Sequence, residues 1–182
     1  MAKAREIDHK LDGTEHLNIY SRAQTDLGKA LSHFAHTPFC HKEFGNFASM
    51  EGFWYWLTRQ DESLRHLHGW EAKERGRDLP EVKKWHPERF RQVIMEGNDA
   101  KFQRHPEILQ ALGKTSMRLE HYYVQRYGKD TKVQHAKDSE WLLAYFEGVR
   151  QKLNPEADMF HSEKIERRLK AAQVEPDQLS MF

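Results

Sequence analysis

Hydrophobic and polar positions divide the chain into an irregular opening and a largely helical remainder. The run His16-Leu17-Asn18-Ile19-Tyr20-Ser21 sets β-forming residues between polar ones and predicts a short strand. Between Leu27 and Phe47 the chain is rich in Gly, His, Phe and Pro without a sustained period, which predicts loops and brief strands over a core. From Ser49 the pattern turns helical: Ser49 has the hydroxyl of an N-cap, and Phe53, Trp54, Trp56 and Leu57 form a wide apolar face. A second helix is expected from Glu62 to Arg77 around Leu64, Leu67 and Trp70, closing near Gly76 and Pro80. A third begins after Pro87 and turns Phe90, Val93, Ile94, Gly97 and Phe102 inward. A fourth opens at Pro106, buries Ile108, Leu109 and Leu112, and stops at Gly113. Residues 119–124 and 132–134 predict two strands, joined by a turn at Tyr127-Gly128-Lys129-Asp130. A fifth helix runs from Trp141 to Leu153, with Leu142, Tyr145, Phe146 and Val149 on its period.

The expected fold class is therefore mainly α with minor β: a multihelical single domain with a few short strands. The predicted division is a flexible segment over residues 1–15, the domain over 16–154, a charged helix over 155–172 and a tail over 173–182.

Composition narrows the setting. A chain of 182 residues supports one domain with a real core. No run reaches the roughly 20 apolar residues of a membrane span, and no apolar signal core opens the chain, so no membrane partner is expected. The single cysteine, Cys40, has no intrachain partner, which fits a reducing cytoplasm. A formal net charge of +1 excludes a strongly basic nucleic-acid coat. Locally, Lys73, Arg75, Arg77, Lys83, Lys84, Arg89 and Arg91 crowd together, interleaved with Glu71, Glu74, Asp78, Glu81 and Glu88. Such a run is either a solvated helix face or a phosphate-binding rim, and the interleaved acids favour the former. His33-x-x-His36 followed by Cys40-His41 has loose metal spacing, but no second motif accompanies it, and neither metal nor cofactor is expected. Neither a G-x-S-x-G nucleophile turn nor a glycine-rich phosphate loop is present.

Three blocks, in order, resemble the NADAR (YbiA-like) family of N-glycosidases. The first is Asn18-Ile19-Tyr20-Ser21 with Leu31-Ser32-His33-Phe34, similar to the family's N-x-Y-S and L-S-N-F. The second is Ser49-Met50-Glu51 opening an aromatic helix, then Ala72-Lys73-Glu74-Arg75-Gly76-Arg77, similar to an A-K-x-x-G-R segment. The third is Trp85, then Ala100-Lys101-Phe102, then His105-Pro106-Glu107-Ile108-Leu109. The resemblance spans residues 16–153. The chain departs from the family where a lysine follows the glutamate by two turns, here Leu57-Thr58-Arg59. It also lacks the W-G loop before the last helix, and His33 stands at the asparagine of L-S-N-F.

What the resemblance implies is cleavage of an N-glycosidic bond to ribose. The leading substrate is ADP-ribose carried on guanine, in DNA or a nucleotide; phosphoribosyl intermediates of the riboflavin pathway are one alternative, and a non-catalytic ADP-ribose-binding module is another. Breaking C1′–N develops positive charge on the ribose ring, so a carboxylate near C1′ stabilises it and activates water. Glu51 is the expected carboxylate, in a first helical turn where the macrodipole keeps it ionised. Asp130 is the candidate for a second. Tyr20, Ser21, His33, Phe34, Tyr55, Lys73, Arg77, Trp85 and Lys101 are the expected substrate contacts, with Trp85 stacking on a base and Lys73 and Arg77 holding phosphate. Lys101 has pairing with a nearby acid as its other expected fate.

Finally, Gln178-Leu179-Ser180-Met181-Phe182 resembles the pentapeptide with which bacterial replication proteins bind the sliding clamp. Leu179, Met181 and Phe182 would fill an apolar pocket while Gln178 sets the register. A clamp-tethered glycosidase would place its substrate on replicating DNA.

Overall fold

Two apolar clusters organise the chain, and one long helix serves both. The computed structural model describes residues 7–127, 130–136 and 139–155. Among these, β1 (His16–Asn18) precedes α1 (Asp26–Leu31), the hairpin β2 (Phe39–His41) and β3 (Gly45–Phe47), and α2 (Met50–Arg59). Then follow α3 (Gly69–Asp78), α4 (Pro87–Arg104), α5 (Pro106–Lys114), β4 (Arg118–Glu120), β5 (Tyr122–Tyr127), β6 (Asp130–His135) and α6 (Glu140–Leu153). The fold is mainly α with minor β, as the pattern predicts.

The first cluster gathers Leu17, Leu31, Phe102, Leu112, Leu119 and Phe146 from β1, α1, α4, α5, β4 and α6. The second gathers Phe39, Phe47, Phe53, Leu57, Val93 and Ile94 from the β2–β3 hairpin, α2 and α4. The helix α4 reaches both because Val93 and Ile94 lie two turns from Phe102. Trp141 packs against both clusters.

Local chemistry explains the helix starts. Ser49 caps α2 by accepting from Gly52 N–H at 3.0 Å, and its hydroxyl donates to Leu67 O at 2.9 Å. A cap of this kind stabilises by about 1 kcal/mol. A Cβ on Gly52 would meet Leu64 O at 2.3 Å, so only glycine lets the following loop cross the first turn of α2. Pro87 and Pro106 occupy first-turn positions of α4 and α5, where the missing N–H is harmless.

Several expectations are corrected. The single helix from Glu62 to Arg77 is broken: Asp61 caps a 3-10 turn, Glu62–Arg65, and α3 starts afresh at Gly69. Gly69 has φ +57°, a left-handed conformation that interrupts the helix while Leu64 drops into the second cluster. A helix, α1, lies where only loops and strands were predicted; Thr25 caps it by accepting from Gly28 N–H at 3.0 Å. Gly113 does not end α5, which continues to Lys114. The segment before residue 16 is packed from residue 7: Ile7 and Asp12 are buried, and Asp12 accepts from the N–H groups of Asn18 and Gln24 at 2.9 and 2.7 Å. The strand expected over 119–124 is two, and the break is instructive. In parallel register β1 pairs with β4, ending at Asn18 opposite Glu120, and the Asn18 side chain then takes over. Its Nδ2 donates to Tyr122 O at 3.1 Å and its Oδ1 accepts from Tyr122 N–H at 3.0 Å. That amide clip starts β5 beside β1 and sets Tyr20 and Tyr123 edge to face, with centroids 5.4 Å apart.

No helix of the described residues is long and apolar enough to cross a membrane. The predicted charged helix and tail, residues 156–182, lie outside the described residues.

Candidate functional site

A cleft of about 1260 Å³ opens between the two clusters. Its walls come from five places: the β1–α1 connection, residues 32–34 after α1, the first turns of α2, one face of α3, and the β5–β6 hairpin with the start of α6. Eight of the residues expected at a site line it: Tyr20, Ser21, His33, Phe34, Glu51, Tyr55, Lys73 and Arg77. They are spread over 58 positions of sequence, and long-range packing unites them.

Glu51 is held in place through its own backbone. Its N–H donates to His33 O at 2.9 Å, which ties the first turn of α2 to the segment after α1. Among the described residues the Glu51 carboxylate forms no hydrogen bond or ion pair. Burial pushes its pKa up to about 7, against the opposing pull of Lys73 and Arg77. The expectation that a first-turn position keeps this group ionised is therefore corrected. The helix terminus is a partial charge worth well under a full unit, whereas removing water from a carboxylate acts on the whole charge. The result is a carboxyl group poised to exchange a proton near neutral pH, as a general acid or base requires.

Around it the groups are polar but uncharged, or cationic. Burial holds His33 down to about 3 and His121 to about 4, so both imidazoles are neutral at physiological pH. The Nε2 atom of His33 is buried and has no hydrogen-bond partner among the described residues. Tyr55 and Tyr123 are raised by burial first and by the Glu51 charge second, which places both phenols within electrostatic reach of that carboxylate. Lys73 and Arg77 lie one turn apart on α3.

The basic run resolves into two populations. Of its members, Arg75 pairs with Asp61 at 2.9 Å and Arg89 with Glu43 and Glu96 at 3.1 and 3.5 Å, while the interleaved acid Glu81 pairs with Arg59 of α2 at 3.2 Å. Lys73 and Arg77, which face the cleft, have no carboxylate within ion-pair distance among the described residues. The acids that pair with Arg75 and Arg89 come from outside the run, and the reading of the run as a solvated, acid-balanced face does not describe Lys73 and Arg77, which line the cleft.

Two expected contacts are corrected. Trp85 does not line the cleft: it packs against the second cluster and its Nε1 donates to Leu57 O at 2.7 Å, with Lys83 Nζ 4.1 Å from its ring centroid. Lys101 is fully buried and does not line the cleft, donating to Ala30 O at 2.6 Å and Ser32 O at 3.5 Å, with no carboxylate within ion-pair distance among the described residues. Burial lowers its pKa to about 7. Asp130 begins β6 opposite Tyr127; its side chain lies outside the described residues, as do Gln178, Leu179, Met181 and Phe182.

Of Phe53, Trp54, Tyr55 and Trp56, some of which the sequence suggests as a stacking surface with core packing the fate of most, Trp54 and Tyr55 line the cleft; the sequence reading missed Trp70, His121, Tyr123 and Trp141. Trp54 and Trp141 stack at 6.2 Å with an interplanar angle of 22°. Helical periodicity assigned these tryptophans to the core, and no local signal separates a core aromatic from one that walls a cleft. The loosely metal-spaced residues have other partners: His36 stacks on His68 at 4.6 Å, His41 on Phe44 at 4.9 Å, and Cys40 is exposed. Among the described residues no group of three or more His, Cys, Asp or Glu side chains is placed to hold a metal.

No family model, no curated protein and no solved structure matches the chain.

Proposed function

We propose that the protein is an N-glycosidase that hydrolyses the bond between C1′ of a ribose and a nucleobase nitrogen, with ADP-ribose on guanine as the leading substrate. The observation that carries this reading is Glu51: a carboxyl whose pKa burial raises to about 7, in an aromatic cleft that also holds Lys73 and Arg77, two cations with no carboxylate within ion-pair distance among the described residues. An anionic ribosyl ligand matches that charge pattern. With C1′ beside Glu51, the C1′–N bond breaks and its electron pair leaves with the base. The ionised carboxylate stabilises the developing ring charge and takes a proton from the attacking water, whose oxygen bonds to C1′. That proton passes to the departing nitrogen. His33 and His121, neutral at working pH, offer hydrogen bonds without competing for phosphate.

Cleft size favours the larger substrate over a phosphoribosyl metabolite. A volume of about 1260 Å³ exceeds the roughly 300–1,000 Å³ that houses a drug-sized ligand. Clamp binding by residues 178–182 is part of the same proposal and would bring the cleft to DNA.

The test is incubation with an oligonucleotide carrying ADP-ribose on guanine. Release of free ADP-ribose by the wild type, reduced roughly 100- to 10,000-fold in Glu51→Gln, is the expected result. Tight ADP-ribose binding without release would convert the reading to a binding module.

A further inference from the structure

Among the described residues three large hydrophobic side chains are exposed, and one of them, Trp70 at 57%, lines the cleft. Trp70, Lys73 and Arg77 occupy positions i, i+3 and i+7 of α3, which puts them on one side of the helix. The adjoining side carries the small buried residues Ala72 and Gly76, with Gly76 against Tyr55 of α2. The Arg77 guanidinium lies 6.0 Å from the Trp70 ring centroid, and Lys73 Nζ lies 5.2 Å from that of Phe34. The indole therefore stands in the cleft wall as an open aromatic face, beside two cations that have no carboxylate within ion-pair distance among the described residues.

We infer that Trp70, Lys73 and Arg77 form an outer subsite for a nucleoside diphosphate, the diphosphate lying along the two cations and the base stacking on the Trp70 indole. This rests on the placement of the reacting ribose at Glu51 only for its orientation: the ribose inward, the diphosphate next, the distal base at the mouth. It deepens the substrate assignment, because a phosphoribosyl ligand has no second base beyond its phosphate to reach Trp70.

Calorimetric titration of the full chain with ADP, pyrophosphate and ribose 5-phosphate tests the subsite without reference to turnover. Trp70→Ala should weaken ADP by about 5- to 150-fold, the range of a base–aromatic stack, and leave pyrophosphate and ribose 5-phosphate unchanged. Trp70→Phe should restore most of the ADP affinity, and Lys73→Ala with Arg77→Ala should weaken both ADP and pyrophosphate. The exposure of Trp70 makes these variants safe for folding, which a thermal melt checks. Equal ADP affinity in wild type and Trp70→Ala, or no ADP binding at all, overturns the subsite. ADP binding that depends on Trp70 in a protein that releases no ADP-ribose upholds the subsite and refutes hydrolysis.

Discussion

Gly76 of α3 lies flat against the ring of Tyr55 on α2: a Cβ at Gly76 would stand 2.1 Å from Tyr55 Cγ and 2.4 Å from Cδ1. The helix that carries Lys73 and Arg77 therefore approaches the helix that carries Glu51 as closely as backbone on ring allows. Gly76→Ala must push Tyr55 away and part the two cleft walls. The expected loss is about 1–3 kcal/mol in chemical denaturation, with weaker ADP binding. Adding Tyr55→Ala should recover part of the stability, since the clash then has no second partner. Additive losses would show that the two residues do not compete for one space.

The carboxyl of Glu51 makes the fold itself sensitive to pH. Its folded pKa of about 7 lies above the ordinary 4.5, so the native state binds the proton more tightly than the unfolded chain. That contribution is complete below pH 4.5 and is lost as pH rises to about 7. Glu51→Gln should remove this slope and leave a protein more stable than the wild type above pH 7, by roughly 1–3 kcal/mol. In the wild type, kcat/KM should climb with pH through about 7, because the ionised carboxylate is the working form. A profile flat from pH 5 to 9 would remove Glu51 from the chemistry.

Lys101 shows the opposite sign. Its pKa is depressed from 10.5 to about 7, so the unfolded chain binds the proton more tightly and stability rises between pH 7 and 10.5. Lys101→Met should abolish that rise. It also deprives the carbonyls of Ala30 and Ser32 of their donor, at about 1–3 kcal/mol near pH 7. Denaturant melts at several pH values read both effects; a variant that still gains stability above pH 7 in parallel with the wild type would assign the slope elsewhere.

Trp85 is expected to matter for folding and not for ligand. Trp85→Phe keeps the ring against Phe44 but loses the donor to Leu57 O, so stability should fall by about 1 kcal/mol while ADP affinity is unchanged. A loss of affinity at constant stability would return Trp85 to the site.

Deletion of residues 178–182 should abolish capture by a bacterial sliding clamp in a pull-down and leave the melting temperature unchanged. Undiminished capture by the truncated chain would show that the pentapeptide is not the contact.

Everything whose cause lies within a turn or two of helix was legible in the chain. Ser49 as a cap, Pro87 and Pro106 as openers, and the Trp141–Leu153 period all depend on hydrogen bonds and burial between neighbours three or four residues apart. The fold class could be anticipated on that footing. What only the tertiary structure decided depends on partners far away in sequence. Asn18 starts β5 through Tyr122, 104 residues on. Both Trp54 and Trp85 pack against the second cluster, yet only Trp54 also reaches the cleft wall. Burial alone raised Glu51 above its helix-terminus expectation. Desolvation is a property of everything that surrounds a group, and no window of sequence contains its surroundings.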